Sequence, residues 1–270
     1  MGLPRLQRDV IDAALPRIEA DARVIGVALA GSIAAGRADE YSDVDLIVVV
    51  ADDAFERVMA ERLDLLADWT PLVTGFTGEH VGEPRLIVSL VGPPLVHLDA
   101  KFVQLSDFAK RIDDPLIIAD RDGTLARELA THPLETPPTD LQWMEDRFWV
   151  WVHYGATKLG RGELFEVLSV LADLRSLVLG PLAALRAGQR PRGVRRLEAV
   201  APDDARALQP TVGAYDAAAA AEALLACVDL YREWMGDLGD AVARRSEAER
   251  LAVAYLADVV VGPAENTSGG

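Results

Sequence analysis

Apolar residues recur at helical spacing from Gln7 to Ala22, which predicts an opening amphipathic helix that Pro16 should interrupt or bend. The continuous apolar run Val24 to Ala30 predicts a buried strand ending at Gly31-Ser32, after which Ile33 to Arg37 can turn into a short helix. A second apolar strand follows at Val44 to Val50. From Asp52 to Trp69 the period returns to that of a helix, with Phe55, Met59, Leu63 and Leu66 on one face. Leu72 to Phe76 and Arg85 to Val91 read as strands, and Gly92-Pro93-Pro94 turns the second of them into another at Leu95 to Val103. A short strand at Leu116 to Ala119, the loop Asp120-Arg121-Asp122-Gly123 and a helix from Thr124 complete this half. The carboxylates of that loop belong to a turn, where Asp is favoured for backbone reasons.

Pro133, Pro137 and Pro138 prevent either regular element from continuing, and mark residues 132–138 as a linker. Everything beyond reads as helical. Thr139 or Asp140 can cap a helix through about Leu159, and Gly160-Arg161-Gly162 breaks it. Glu163 to Ala187 predicts one long helix with Leu164, Leu168, Leu171, Leu174 and Val178 along a face, Pro181 bending its end or starting a new turn. Asp216 to Trp234 and Ser246 to Val261 complete a bundle of four or five helices. The expected fold class is α+β, an N-terminal mixed sheet flanked by helices and then a C-terminal helical bundle. Its boundaries fall at 1–131 for the sheet domain, 139–262 for the helical domain and 263–270 for a disordered tail. The chain shows no internal repeat and no heptad run long enough for a coiled coil.

With 270 residues, half of them hydrophobic, the chain is long enough for two units with cores of their own. Cys227 is the only cysteine, which excludes an internal disulfide and a cysteine-rich metal site, and its Ala-rich surroundings predict a buried helical thiol. The N-terminus carries Pro4, Arg5 and Arg8 without a signal-length apolar stretch, and no segment of membrane-spanning length is free of charges. A cytoplasmic protein without a membrane partner is expected, so the formal sequon Asn266-Thr267-Ser268 carries no meaning. Acidic residues number 43 against 27 basic ones, a formal net charge of −16. A surface this negative repels a phosphate backbone, which disfavours nucleic acid as a partner, and attracts polycationic small molecules.

The chemistry concentrates at Ser42-Asp43-Val44-Asp45-Leu46. Side chains alternate along a strand, so Asp43 and Asp45 share one face and Val44 and Leu46 the other. Two anions so close repel unless a cation lies between them. Hard oxygen ligands without neighbouring Cys suit Mg²⁺ better than zinc. Upstream, the backbone N–H groups of Gly31 and Ser32 and the Ser32 hydroxyl converge at a helix start, a geometry that suits phosphate oxygens.

Gly31-Ser32, Gly36-Arg37 and Ser42-Asp43-Val44-Asp45-Leu46 together resemble the signature of the polymerase-beta-like nucleotidyltransferase superfamily. That resemblance implies a third carboxylate on a later strand. Leu95 to Val103 supplies Asp99, which period two places on one face with His97 and Lys101. The implied reaction is attack of an acceptor hydroxyl on the α-phosphorus of ATP or another nucleoside triphosphate, releasing pyrophosphate. Asp43, Asp45 and Asp99 are then the catalytic and metal-holding carboxylates for one or two Mg²⁺ ions, with Asp99 also taking the hydroxyl proton. Gly31 and Ser32 hold phosphates, and Arg37, Arg85 and Lys101 are candidate phosphate contacts from the catalytic side.

The two-part layout is similar to the small-molecule branch of that superfamily, the aminoglycoside and lincosamide nucleotidyltransferases, where a helical domain closes over the nucleotide and antibiotic resistance is one role. Trp143, Phe148, Trp149, Trp151 and Tyr154 serve either as bundle core or, in one case, as a stacking surface for a base or drug ring. Lys158, with Arg175, is the corresponding candidate for the triphosphate. Should Asp99 lie away from the other two carboxylates, the base would come from Glu145, Glu163 or Glu166. A small hydroxylated, cationic acceptor is the preferred reading. Adenylylation of a protein hydroxyl, as in minimal antitoxin nucleotidyltransferases, and a non-catalytic nucleotide-binding sensor are the alternatives.

Overall fold

In the computed structural model, residues 3–238 and 242–261 are described, so the expected tail and its sequon lie outside the described residues. The chain forms two compact units, Met1–Pro137 and Pro138–Gly270, and residues 133–140 belong to no helix or strand.

The first unit opens with α1 (Arg5–Ala20), which runs through Pro16 without interruption. Pro16 lies on the exposed face of α1, where water can reach the carbonyl it leaves unpaired. Then follow β1 (Val24–Leu29), α2 (Gly31–Ala34), β2 (Val44–Val50), α3 (Phe55–Trp69), β3 (Leu72–Gly78), β4 (Glu83–Val91), β5 (Val96–Gln104), α4 (Leu105–Ala109), β6 (Leu116–Asp120) and α5 (Thr124–Thr131). The six strands form one mixed sheet in the order β3-β4-β5-β2-β1-β6, with β2 and β5 parallel and every other neighbouring pair antiparallel.

Strand alternation divides the two faces. Val44, Leu46 and Val48 of β2 and Leu98, Ala100 and Phe102 of β5 are buried with Ile11, Ala14 and Ile18 of α1 and Val58 and Leu66 of α3. On the opposite face Val49 and Val103 are buried with Phe108 of α4 and Leu125 of α5. That second cover stops short of Asp45 and Asp99, both of which keep partial exposure. Asp120 ends β6 and accepts the Leu125 and Ala126 N–H groups at 2.8 and 3.0 Å, which anchors the start of α5.

The second unit contains α6 (Leu141–Gly160), α7 (Leu164–Leu174), α8 (Gly180–Arg186), α9 (Leu197–Val200), α10 (Pro202–Ala207), α11 (Ala217–Leu238) and α12 (Ser246–Val261). Asp140 caps α6, its Oδ1 accepting the Trp143 N–H at 2.8 Å. The long helix expected over 163–187 is instead α7 and α8 joined by a π-helical turn at Arg175–Leu179. A Cβ at Gly180 would meet the Gly193 carbonyl at 2.6 Å and the Arg175 carbonyl at 2.8 Å, so only glycine fits where the incoming loop crosses the start of α8. Leu164–Arg186 is long and apolar enough to cross a membrane, with mean hydropathy 1.6, yet 61% of its most apolar window is buried in this unit. Those residues are bundle core.

Glu145 is 1% exposed and lies at the centre of the bundle. Trp149 Nε1 donates to its Oε1 at 3.1 Å, Tyr231 Oη to its Oε2 at 2.6 Å and the Arg245 backbone N–H to Oε1 at 2.7 Å. Arg244 Nε lies 3.2 Å from Oε2 and supplies the countercharge. One carboxylate thereby joins α6 to α11 and to the segment entering α12. Burial foremost, and this bond to Glu145, push the Tyr231 phenol above its ordinary pKa.

Candidate active site

Asp45 and Asp99 are direct register partners across the parallel β2–β5 pair, a consequence of Val44 and Leu46 turning inward beside Leu98 and Ala100. Asp43 lies two residues earlier, just ahead of β2. One carboxylate oxygen from each of Asp43, Asp45 and Asp99 lies within 4.8 Å of the others. Three like charges at that spacing call for a counter-cation, and a set made only of carboxylate oxygens suits a hard divalent ion.

The turn after β1 is held against this cluster. Ala30 N–H donates to the Asp45 carbonyl at 2.9 Å, so the chain leaving β1 passes directly over the Asp45 backbone. Gly31 adopts φ +62°, and a Cβ there would overlap Asp45 Oδ2 and lie 2.9 Å from its Cγ. Glycine is therefore required twice, for backbone freedom and for the space the carboxylate fills. The helix expected to begin near Ile33 begins instead at Gly31. Ser32 Oγ is shielded from solvent and has no hydrogen-bond partner, an unsatisfied hydroxyl beside the triad.

Asp39 and Gln7 shape the approach to Asp43. Asp39 Oδ1 accepts the Tyr41 N–H and the Ser42 hydroxyl, both at 3.0 Å. From α1, Gln7 is 3% exposed and its Nε2 donates to the Ser42 carbonyl at 2.6 Å. Neither residue figured among the expected site groups, though Gln7 left a signal: it is the polar member of the stripe Gln7, Ile11, Ala14 and Ile18. A polar residue on a core-facing stripe has a partner to find.

The basic candidates divide. Arg37 is exposed just after the Gly31 turn, with no carboxylate partner among the described residues, and its backbone N–H donates to the Ser32 carbonyl at 2.9 Å. Lys101 shares the face of Asp99, but its Nζ lies 2.7 Å from Glu83 Oε2. Arg85 binds Glu83 and Asp107, each at 2.7 Å. This charge chain holds the Glu83 carboxyl at about 2, through the Arg85 hydrogen bond first and Lys101 after it. His97 Nε2 lies 2.9 Å from Asp99 Oδ1 and restrains that carboxylate.

In the helical unit, Lys158 is matched to Glu163 at 2.5 Å, and Tyr154 Oη donates to Glu166 at 3.1 Å. Phe148 and Trp149 are core, Phe148 stacking on Tyr231 with ring centroids 3.7 Å apart. Trp143 and Trp151 pack edge to face on each other with ring centroids 5.7 Å apart, and both lie partly buried against that core. Glu145, the first alternative base, is fully engaged as an internal support.

Residues 11–86 match the nucleotidyltransferase domain family. That match lies within the sheet unit, which is similar in this segment to nucleotidyltransferase domains. The matched segment contains Gly31, Ser32, Asp43 and Asp45 and ends before Asp99, whose place beside Asp45 comes from the sheet register. No curated protein sequence matches the chain. Among solved structures, an aminoglycoside 6-adenyltransferase from Bacillus subtilis aligns over 96% of this chain and all of its own at 13% identity and a TM-score of 0.40. A nucleotidyltransferase-like protein from Exiguobacterium sibiricum aligns over 95% of this chain and 91% of its own at 13% identity and a TM-score of 0.36. Likeness at that level carries no argument about the acceptor.

Proposed function

We propose that this protein moves a nucleoside monophosphate, AMP from ATP, to a hydroxyl of a small cationic acceptor of the aminoglycoside kind. The observation that carries the reading is the convergence of Asp43, Asp45 and Asp99 beside a glycine turn that leaves room only for the Asp45 carboxylate. These three residues would hold Mg²⁺, and a bound ion supplies charge neutralisation at phosphate oxygens and acidifies a coordinated hydroxyl. Gly31 and Ser32 would hold the β- and γ-phosphates through backbone N–H groups and the unpartnered Ser32 hydroxyl, with Arg37 adding positive charge from the same turn.

An alcohol is too weak an acid to ionise unaided near neutral pH. Asp99, oriented by His97, takes its proton as the alcohol oxygen bonds to the α-phosphorus. The bond from that phosphorus to the bridging oxygen breaks, and pyrophosphate leaves with the electron pair. Lys101 would have to leave Glu83 to meet a phosphate, which gives it a smaller part than Arg37. The preference for a cationic acceptor is supported by the net charge of −16, which raises the local concentration of polycations.

The test is incubation with each nucleoside triphosphate and a panel of aminoglycosides, lincosamides and neutral polyols, followed by mass spectrometry of the acceptor. An aminoglycoside carrying one nucleoside monophosphate is the expected product. Unmodified acceptors throughout, with nucleotide bound, would exclude the small-molecule reading and leave a protein hydroxyl or a nucleotide sensor.

A further inference from the structure

The helical unit contains a cleft of about 380 Å³ whose lining comes from the π-helical turn, the loop before α9, α9, α10 and the loop before α11. Val194, Leu197, Pro202, Ala205, Leu208 and Val212 are its apolar lining. Arg175, the first residue of the π-helical turn, lines it as the half-buried cation. A volume in this range is that of a small-molecule site, where apolar walls and one or two placed polar groups are the usual combination.

Arg175 is unusual for this chain. Its Nη1 donates to the Thr211 carbonyl, and no carboxylate pairs with it among the described residues. At the far end of α8, Arg186 faces Asp204, Glu233 and Asp237 together. In a protein with 43 acidic and 27 basic residues, a partly buried guanidinium without an anion is a charge still to be answered. Arg175 opens the π-helical turn, and such turns recur at ligand sites.

We propose that this cleft binds a small monocarboxylate with an apolar body, its carboxylate on Arg175 and its hydrocarbon against Val194, Leu197, Leu208 and Val212. A planar guanidinium matches a carboxylate with two parallel hydrogen bonds. The remaining charges in the wall select a monoanion. Arg206 is exposed and already bound to Asp203, and Glu198 adds a negative charge that disfavours a phosphate dianion. Every lining residue belongs to the helical unit, so the proposal stands independently of the carboxylate triad.

Calorimetric titration of the full chain with octanoate and with octanamide tests it. The expected result is saturable octanoate binding at least about tenfold tighter than octanamide, the margin of a charge-assisted hydrogen bond. Arg175→Gln should remove that margin. Val212 is 64% exposed, so Val212→Glu preserves the fold; it removes one apolar contact from both ligands and adds repulsion only to the acid, and should therefore weaken octanoate about tenfold more than octanamide, which decides the matter if Arg175→Gln does not fold. Equal binding of acid and amide, no saturation by either up to about 5 mM, or a Val212→Glu variant that weakens octanoate no more than octanamide would overturn the proposal. Displacement of octanoate by inorganic phosphate at equal concentration would overturn the choice of a monoanion.

Discussion

A side chain at position 31 would have to share space with the Asp45 carboxylate, so Gly31→Ala is expected to disable the site while the sheet survives. The backbone conformation alone costs about 1–2 kcal/mol in a non-glycine residue, and nucleotide transfer should fall by about two orders of magnitude or more as Asp45 is displaced. Initial rates beside a thermal unfolding curve separate the two effects. Lys101→Met should lower the rate by less than about tenfold, because Glu83 already holds that ammonium, whereas Arg37→Met should raise KM for the nucleotide more than it lowers kcat. At this scale the residues that converge in the carboxylate cluster were legible beforehand. Asp43 and Asp45 follow from Asp-x-Asp at the mouth of an apolar strand, whereas Asp99 was singled out because the nucleotidyltransferase resemblance implies a third carboxylate on a later strand, alternation giving only its face. What alternation leaves open is the competition among charges. Nothing in the spacing of Lys101 or Arg85 tells that Glu83, distant from the motif, binds both. Glu145 shows the converse, a carboxylate whose composition suits a base and whose burial makes it a support.

At the scale of elements, the charge chain Lys101-Glu83-Arg85-Asp107 ties β4 and β5 to α4. The folded Glu83 carboxyl titrates near 2, below its ordinary value of 4.5, so its stabilisation is complete above pH 4.5 and is lost as pH falls from there toward 2. Glu83→Gln should flatten that part of the stability profile, read from urea midpoints at successive pH values. In the bundle, Glu145→Ala would strand the Tyr231 hydroxyl, the Trp149 indole N–H and the Arg245 N–H, and should cost about 3 kcal/mol or more in urea unfolding. Element identities were readable because their periods differ, two for β2 and β5, 3.6 for α3 and α6. Partner choice was not. A period of two tells which face a residue takes and is silent on whether β5 pairs with β2 in parallel, which is the step that brings Asp99 to Asp45. The π-helical turn was equally hidden, since the apolar stripe from Leu164 to Val178 continues across it. Pro16 was expected to bend α1, but an exposed position on a helix otherwise anchored by Ile11, Ala14 and Ile18 tolerates it.

For the whole molecule, the two units keep separate cores, and the proposed chemistry draws its carboxylates from the first. The net charge of −16 predicts that KM for an aminoglycoside acceptor rises with ionic strength as screening weakens the attraction, while kcat changes little. A KM independent of salt would remove electrostatic attraction as the basis of acceptor choice. The claim on which the account turns is that Asp43, Asp45 and Asp99 act together on one divalent ion during nucleotidyl transfer. Its most direct test is pyrophosphate release as a function of Mg²⁺ concentration, with an accepted aminoglycoside present, in the native chain and in Asp99→Asn. The account predicts a saturable Mg²⁺ requirement in the native chain and, in the variant, a rate lower by about two orders of magnitude with unchanged thermal stability in the absence of metal. Release that proceeds without a divalent ion, or that Asp99→Asn leaves intact, would contradict it.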